Sequence, residues 1–211
     1  MEEMSDIIVF IFEIIGTIAF AASGAFVAME KKMDILGVMI MGLTTAIGGG
    51  VIRDIIIGNI PPAAFRDPVY AEVAIVVSLI VFLPRVRNAV NEYQTKVDMA
   101  LLLMDTLGLG VFTVVGVATC QHALPEGGIF LSIFVGTITG VGGSILRDVL
   151  AGNTPYVFVK HFYACASIIG AVLSTLLWDL AGSVCAMIIG AVVVMILRLL
   201  AAHFRWKLPR A

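Results

Sequence analysis

Two arginine-aspartate dipeptides are the residues best suited to chemistry in this chain. Arg53-Asp54 and Arg147-Asp148 each lie within or next to a long apolar stretch, shortly after three small residues. An ionisable side chain in such surroundings is expensive to bury and indicates a functional site. Because adjacent residues on a helix do not face each other, we predict that each arginine pairs across the two halves of the chain or with nearby acids, not within its dipeptide. The alternative is that each arginine lies near the membrane interface and extends its charged group into water.

The small residues before these dipeptides are Gly48-Gly49-Gly50 and Gly142-Gly143-Ser144. Each glycine weakens a helix by about 1 kcal/mol relative to alanine, so the clusters predict a kink or a break. Backbone groups released at a break must be buried in protein or line a water-filled path. Close helix packing through small residues is the alternative. A phosphate-binding loop is excluded, because no strand precedes the glycines and no Gly-Lys-Ser/Thr follows them.

Further polar residues accompany the clusters. Glu13 and Asp105 occupy matching positions in the two halves and are predicted to line the path or to pair with the arginines. Neighbouring threonine hydroxyls either coordinate a partly dehydrated ion or hydrogen-bond back to their own helix. Glycine and phenylalanine residues also recur at intervals of four, which we interpret as helix-packing stripes. The threonines are Thr44, Thr45, Thr137 and Thr139, and the stripes are Gly16, Phe20, Gly24 and Gly108, Phe112, Gly116.

The composition shows which elements must position these residues. Of the 211 residues, 60% are hydrophobic and 13% are charged, and the mean hydropathy is +1.07. Roughly 20 apolar residues in a helix cross the hydrocarbon core of a bilayer, and stretches of about that length recur along the chain. We therefore predict an all-α integral membrane protein that forms a single transmembrane domain over residues 1–211. The seven predicted spans are 7–28, 35–57, 69–84, 97–119, 129–151, 157–178 and 181–202.

Cysteines and histidines give no sign of a metal or disulfide site. The three cysteines and three histidines lack the spacing of a ligand set or of a disulfide framework. We expect no metal, no other cofactor and no nucleic-acid partner, and the bilayer itself is the expected environment. No nucleophile and base stand out, so an enzyme is not predicted.

The basic residues indicate the orientation of the chain. With seven spans, two of the 13 lysines and arginines fall on the face of the N-terminus and eleven on the opposite face. Because cytoplasmic loops are rich in lysine and arginine, we predict an outside N-terminus and a cytoplasmic C-terminus. The short loops suit the inner membrane of a prokaryote.

An internal repeat relates the two halves. The segment 48–61 returns at 142–155 with an offset of 94, and the region from Glu13 returns from Asp105 with an offset of 92. Repeat one covers about 7–84, repeat two about 97–178, and a seventh helix at about 181–202 lies outside the repeat. Three helices per unit require the second copy to enter the membrane inverted, which is the usual framework of transport proteins.

These motifs resemble the prokaryotic members of the trimeric intracellular cation channels, the TRIC family. The resemblance covers nearly the whole chain and rests on the paired glycine clusters with their Arg-Asp dipeptides. It implies a homotrimer with a separate pore in each protomer, kinked second and fifth helices that line it, and passage of potassium and sodium. The second cluster departs from the family pattern by reading Gly-Gly-Ser, and no clear lipid-headgroup motif is present.

The residues leave two functions open. In a channel, backbone carbonyls at the glycine clusters replace part of the hydration of a cation, and the Arg-Asp pairs set the field or gate. This function requires acids to neutralise both arginines. In a carrier of a small amino acid, which the family resemblance implies would be glycine, a helix N-terminus or an arginine binds the substrate carboxylate. A purely structural membrane protein is the remaining alternative.

Overall fold

The computed structural model describes residues 2–84, 86, 94–159 and 162–206. Within these ranges the protein is all-helical. The long helices are α1 (Glu2–Glu30), α2 (Ile35–Ile56), α4 (Val69–Phe82), α5 (Gln94–Ala123), α6 (Gly128–Leu150), α8 (Tyr163–Ala181) and α9 (Ser183–His203), and two single-turn helices are α3 (Ala63–Arg66) and α7 (Tyr156–Val159).

The seven predicted spans are confirmed as helices. Six of them are long and apolar enough to cross a bilayer, whereas α4 has only 14 residues. The sixth span was predicted to begin at residue 157, but α8 begins at Tyr163. The reason is local, because Phe162 adopts a left-handed backbone with φ of 51°, which an α-helix cannot include.

The helix bounds follow the internal repeat. The last residues of α2 and α6 differ by 94, and the first residues of α4 and α8 also differ by 94. A single-turn helix precedes the third helix of each unit, which the sequence did not predict. Helix α9 packs on α5 and α8 and has no counterpart in the first unit.

The glycine clusters lie where α2 crosses α6. Both helices run without interruption through their clusters, so the predicted break is wrong, while a kink without a break stays a prediction. A Cβ atom at Gly49 would overlap the carbonyl oxygen of Thr139, and a Cβ at Gly143 would overlap that of Thr45. The two contacts are reciprocal, as expected for a pseudo-twofold axis. Close packing, the alternative interpretation, therefore describes these two glycines.

A second reciprocal contact joins α1 to α5. The ring of Phe112 lies against Gly16 and the ring of Phe20 lies against Gly108, with the two ring centroids 5.2 Å apart. This confirms that the Gly-Phe-Gly stripes are packing surfaces and places their contact inside one chain. The paired aromatic rings fill the space beside the crossing of α2 and α6.

Substitution of Gly49 by alanine is expected to destabilise the fold. The new methyl group would meet a backbone carbonyl that cannot move aside, and such overpacking costs typically about 1–3 kcal/mol. Gly50 is the matched control, since the nearest atom to its added Cβ is the end of the Arg53 side chain at 3.8 Å. Thermal unfolding in detergent should show a lower Tm for G49A and an unchanged or higher Tm for G50A. Equal Tm values would contradict the tight crossing.

Candidate functional site

Arg53 is the centre of the first polar cluster, at the end of α2. Its Nη1 lies 3.1 Å from Glu13 Oε1, and its Nε donates to Asp54 Oδ1 at 2.8 Å. The hydroxyl of Tyr70 on α4 donates to the other oxygen of Glu13 at 2.5 Å. The arginine is only 4% exposed, so its charge is held by two carboxylates within the protein. Three helices of the first repeat thus meet at one guanidinium.

Arg147 is the centre of the second cluster, at the end of α6, and it is completely buried. Its Nε donates to Asp148 Oδ1 at 2.9 Å, and its Nη1 lies 2.6 Å from Asp105 Oδ1. The same nitrogen donates to the hydroxyl of Ser23 on α1 at 2.5 Å. The second repeat therefore repeats the pattern of the first, with one additional contact to α1.

The expected pairing of the arginines needs a correction. Each arginine does bind the predicted acid, Glu13 or Asp105, but it also binds the aspartate of its own dipeptide. The long arginine side chain folds back so that Nε reaches the neighbouring carboxylate. In an apolar interior, the electrostatic energy gained from a second carboxylate outweighs the energy needed to bend the arginine toward a neighbour that points in another direction. The acids come from the same repeat as the arginine, and among the described residues Ser23 alone makes a hydrogen bond to an arginine of the other repeat.

Each aspartate of a dipeptide also holds the turn that follows it. Gly58 and Gly152, with φ of 76° and 69°, end α2 and α6 in a left-handed turn. The chain then returns, and the second carboxylate oxygen of Asp54 accepts the first backbone N–H of α3 at 2.7 Å. Asp148 accepts the first backbone N–H of α7 at 2.8 Å. In each repeat, the aspartate carboxylate thus connects the buried arginine to the loop that follows the helix.

The predicted threonines divide into two kinds. Thr45 and Thr139 are buried and donate to the carbonyl oxygens of their own helices, each at 2.6 Å. This is the helix-bonded alternative, and the two hydroxyls face Gly24 of α1 and Gly116 of α5, away from the contact of Gly49 with Gly143. Thr44 is half-buried, and the hydroxyl of Thr137 is buried without a hydrogen-bond partner among the described residues.

One cavity lies at the end of the molecule where α1 begins, and we name it the outer cavity after the orientation predicted from the sequence. A space of about 500 Å³ is lined by Glu13, Arg53, Tyr70 and by residues of α5, including His122. A smaller space of about 30 Å³ continues from the same cluster toward Gly50 and Phe112. The Arg53 cluster therefore forms the floor of a polar opening.

An inner cavity of about 340 Å³ lies toward the opposite end of the helices. Its polar lining consists of Glu30, Asp98, Asp105, Tyr156 and Arg198. Asp105 connects this cavity to the Arg147 cluster. The crossing of α2 and α6, with Gly49 against Gly143, lies between the outer and inner clusters. Gly48 and Gly142 are buried at this crossing, whereas Ser144 is buried elsewhere on α6, where its Oγ donates to the carbonyl of Val141 at 2.9 Å.

Three site residues escaped the sequence analysis. Ser23 and Tyr70 carry no local signal, because a serine or tyrosine in an apolar helix is common and its partner comes from another helix. Arg198 did carry a signal, since an arginine inside the seventh span is an intramembrane charge. It was counted only as a basic residue of the cytoplasmic face, whereas it is 3% exposed and lines the inner cavity.

The fold and the paired clusters define a multi-pass membrane protein of the inverted-repeat class. A sequence model of the family described as Glycine transporter matches residues 10–85 and 102–179, which correspond to the two repeats. The chain belongs to this family, the TRIC family.

Relatives and solved structures agree with this assignment. The chain is 35% identical to the UPF0126 inner membrane protein YadS of Escherichia coli over 96% of this chain and 95% of that protein. It is 36% identical to the UPF0126 membrane protein YvgT of Bacillus subtilis over 93% of both. A structure described as the basis for conductance through TRIC cation channels has a TM-score of 0.82 at 35% identity, covering 95% of this chain and 96% of that one. The TRIC orthologue from Rhodobacter sphaeroides has a TM-score of 0.82 at 27% identity, with 94% and 98% covered.

Replacement of Asp148 by asparagine is expected to destabilise the protein strongly. The change leaves buried Arg147 with one fewer counter-charge, and breaking a buried ion pair costs about 3–5 kcal/mol. Asp179, an exposed acid near the end of α8, provides the matched control for the same chemical change. Thermal unfolding in detergent should show a large drop in Tm for D148N and almost none for D179N. Similar Tm values for the two variants would contradict the structural importance of this ion pair.

Proposed function

We propose that the chain forms a passive channel for monovalent cations, potassium and also sodium, with one pore inside each protomer of a homotrimer. The observation that carries the proposal is the pair of polar cavities toward opposite ends of one chain, each ending at an arginine whose charge is neutralised. The described TRIC structures, which include cation channels, support the same function.

The charges that line the two cavities favour cations. In the outer cavities, the carboxylates of Glu13 and Asp54 face one guanidinium, that of Arg53. The inner cavity has three carboxylates, from Glu30, Asp98 and Asp105, and one guanidinium. Walls of one net sign concentrate counter-ions in a cleft. The requirement that the arginines be neutralised is therefore met, and each cavity keeps an excess of negative charge.

The pore proposed here runs from the outer to the inner cavity through the crossing of α2 and α6. The carbonyl oxygens of Thr45 and Thr139 and the glycine backbone are the polar groups at this point. Because the reciprocal contacts close the crossing, conduction requires α2 and α6 to separate or bend there. The Arg-Asp clusters next to the crossing are then the proposed gate, and both lie at helix ends that such a motion would shift.

The relatives support a homotrimer and a location in the inner membrane. One structure is described as a trimeric intracellular cation channel orthologue, and a relative is named an inner membrane protein. We extend both properties to this chain and propose a prokaryotic inner membrane with the N-terminus outside, as the distribution of basic residues predicts. None of these relatives is named as an enzyme.

Transport of glycine is the second candidate function, favoured by the description of the matching family. A carrier of this kind would need a positive group for the substrate carboxylate. Arg53 and Arg147 are each already bound by two carboxylates, so a substrate would have to displace one of them. This competition makes the carrier the weaker candidate.

Planar-bilayer recording of the purified protein in asymmetric potassium chloride tests the proposal directly. We expect discrete unitary currents that reverse near the potassium equilibrium potential. Glycine uptake into proteoliposomes from the same preparation is the parallel measurement. Silent bilayers together with saturable glycine uptake would contradict the channel and favour the carrier.

A substitution in the outer cavity tests the origin of cation preference. Glu13→Gln removes a carboxylate beside Arg53, and the reversal potential in asymmetric potassium chloride should shift toward zero as anions pass more easily. Glu126, an exposed acid of the loop between α5 and α6 on the same face, provides the control variant E126Q. An unchanged reversal potential in E13Q would exclude Glu13 from the selective region.

A further inference from the structure

Arg198 brings a charge into the inner cluster from the helix outside the repeat. It lies on α9, is 3% exposed, and its guanidinium stands 4.6 Å above the ring of Tyr163. Its Nη2 is 3.8 Å from Asp105 Oδ2, close enough for an ion pair but beyond hydrogen-bond distance. The first repeat has no equivalent of this arginine, because α9 has no counterpart there.

Asp105 therefore stands between two cations. Its Oδ1 is fixed by Arg147 at 2.6 Å, whereas its Oδ2 is buried and accepts no hydrogen bond among the described residues. The matching acid in the first repeat is different, since both oxygens of Glu13 accept hydrogen bonds, from Arg53 and Tyr70. A buried carboxylate oxygen without a hydrogen bond is costly and is stabilised by a nearby cation. Oδ2 of Asp105 thus has an unfilled acceptor site that faces Arg198.

The inner cavity beside Asp105 suits an ion. Asp105 and Arg198 both line the inner cavity of about 340 Å³, together with the carboxylates of Asp98 and Glu30. A cation that enters the cavity is attracted by three carboxylates and repelled by one guanidinium. Because Arg198 already stands beside Asp105, it lowers the local attraction at the deepest carboxylate of the cavity.

We propose that Arg198 is a tethered cation that competes with the permeating monovalent cation for the charge of Asp105 and so sets cation occupancy at the inner cavity. The inference rests on the proposed channel function and deepens it. The seventh helix then makes the two ends of a duplicated pore unequal. Cation occupancy is lower in the inner cavity than in the outer cavity, because the Arg198 guanidinium already neutralises part of the charge of Asp105.

Conductance measurements on charge variants test this competition. In dilute potassium chloride, R198Q should raise the unitary conductance by roughly tenfold. The reason is that loss of a unit positive charge about 4 Å from Asp105 strengthens the attraction of a cation to that carboxylate. R198K keeps the charge and should stay close to wild type. Arg205, an exposed arginine beyond the end of α9, gives the control R205Q with the same chemical change. A wild-type conductance in R198Q, or an equal rise in R198K, would overturn the proposal.

A double-mutant comparison asks whether Asp105 mediates the effect. Once D105N has removed the negative charge, the additional change R198Q should alter conductance by less than about twofold, because the contested site is gone. An equally large effect of R198Q in the presence of D105N would overturn the role of Asp105.

Rubidium binding gives a readout that does not depend on conduction. Crystals soaked in rubidium chloride should show an anomalous peak beside Asp105 that is stronger in R198Q than in wild type. A stronger peak in R198Q with silent wild-type bilayers would support the competition while rejecting the channel. Equal or absent peaks in the two proteins would overturn the competition even if the wild-type protein conducts potassium.

Discussion

The need to neutralise buried guanidinium groups is the constraint on which the rest of this structure depends. Arg147 has no exposed surface and Arg53 has almost none, and each lies in a protein whose surroundings are hydrocarbon. An unpaired charge there would cost several kcal/mol, a large part of the stability of a typical folded protein. Each arginine therefore requires acids from two places in its repeat, and this requirement fixes how the first and second helices of each repeat meet.

The same ion clusters link the membrane interior to its faces. Asp54 and Asp148 each bind an arginine with one oxygen and a single-turn helix with the other. A shift of α2 or α6 would consequently move a buried charge and a surface turn together. Between the clusters, the helices touch backbone to backbone at Gly49 and Gly143, where no flexible side chain can absorb a displacement. A movement at the crossing would thus favour a switch between two discrete helix arrangements over a gradual displacement.

Duplication explains the symmetry of this arrangement, and the seventh helix explains where the symmetry ends. The phenylalanine contacts, the glycine contacts and the aspartate caps all occur twice with the chain inverted. The polar surroundings of Glu13 and Asp105 are different, because α4 supplies Tyr70 to one and α9 supplies Arg198 to the other. A cation that crosses the protein would meet two chemically distinct ends built on one repeated scaffold.

The sequence by itself determined the membrane class, the seven helices, the inverted repeat and the residues around which the site forms. These features depend on hydropathy and on residues repeated at fixed spacing, which are local properties of the chain. Only the tertiary structure decided that the glycines at the crossing pack helices without breaking them. The sequence favoured a break because it records the weak helix propensity of glycine, whereas the carbonyl that approaches Gly49 belongs to another helix. The partners of Glu13 and Asp105 were hidden for the same reason, since Tyr70, Ser23 and Arg198 come close only when distant segments pack.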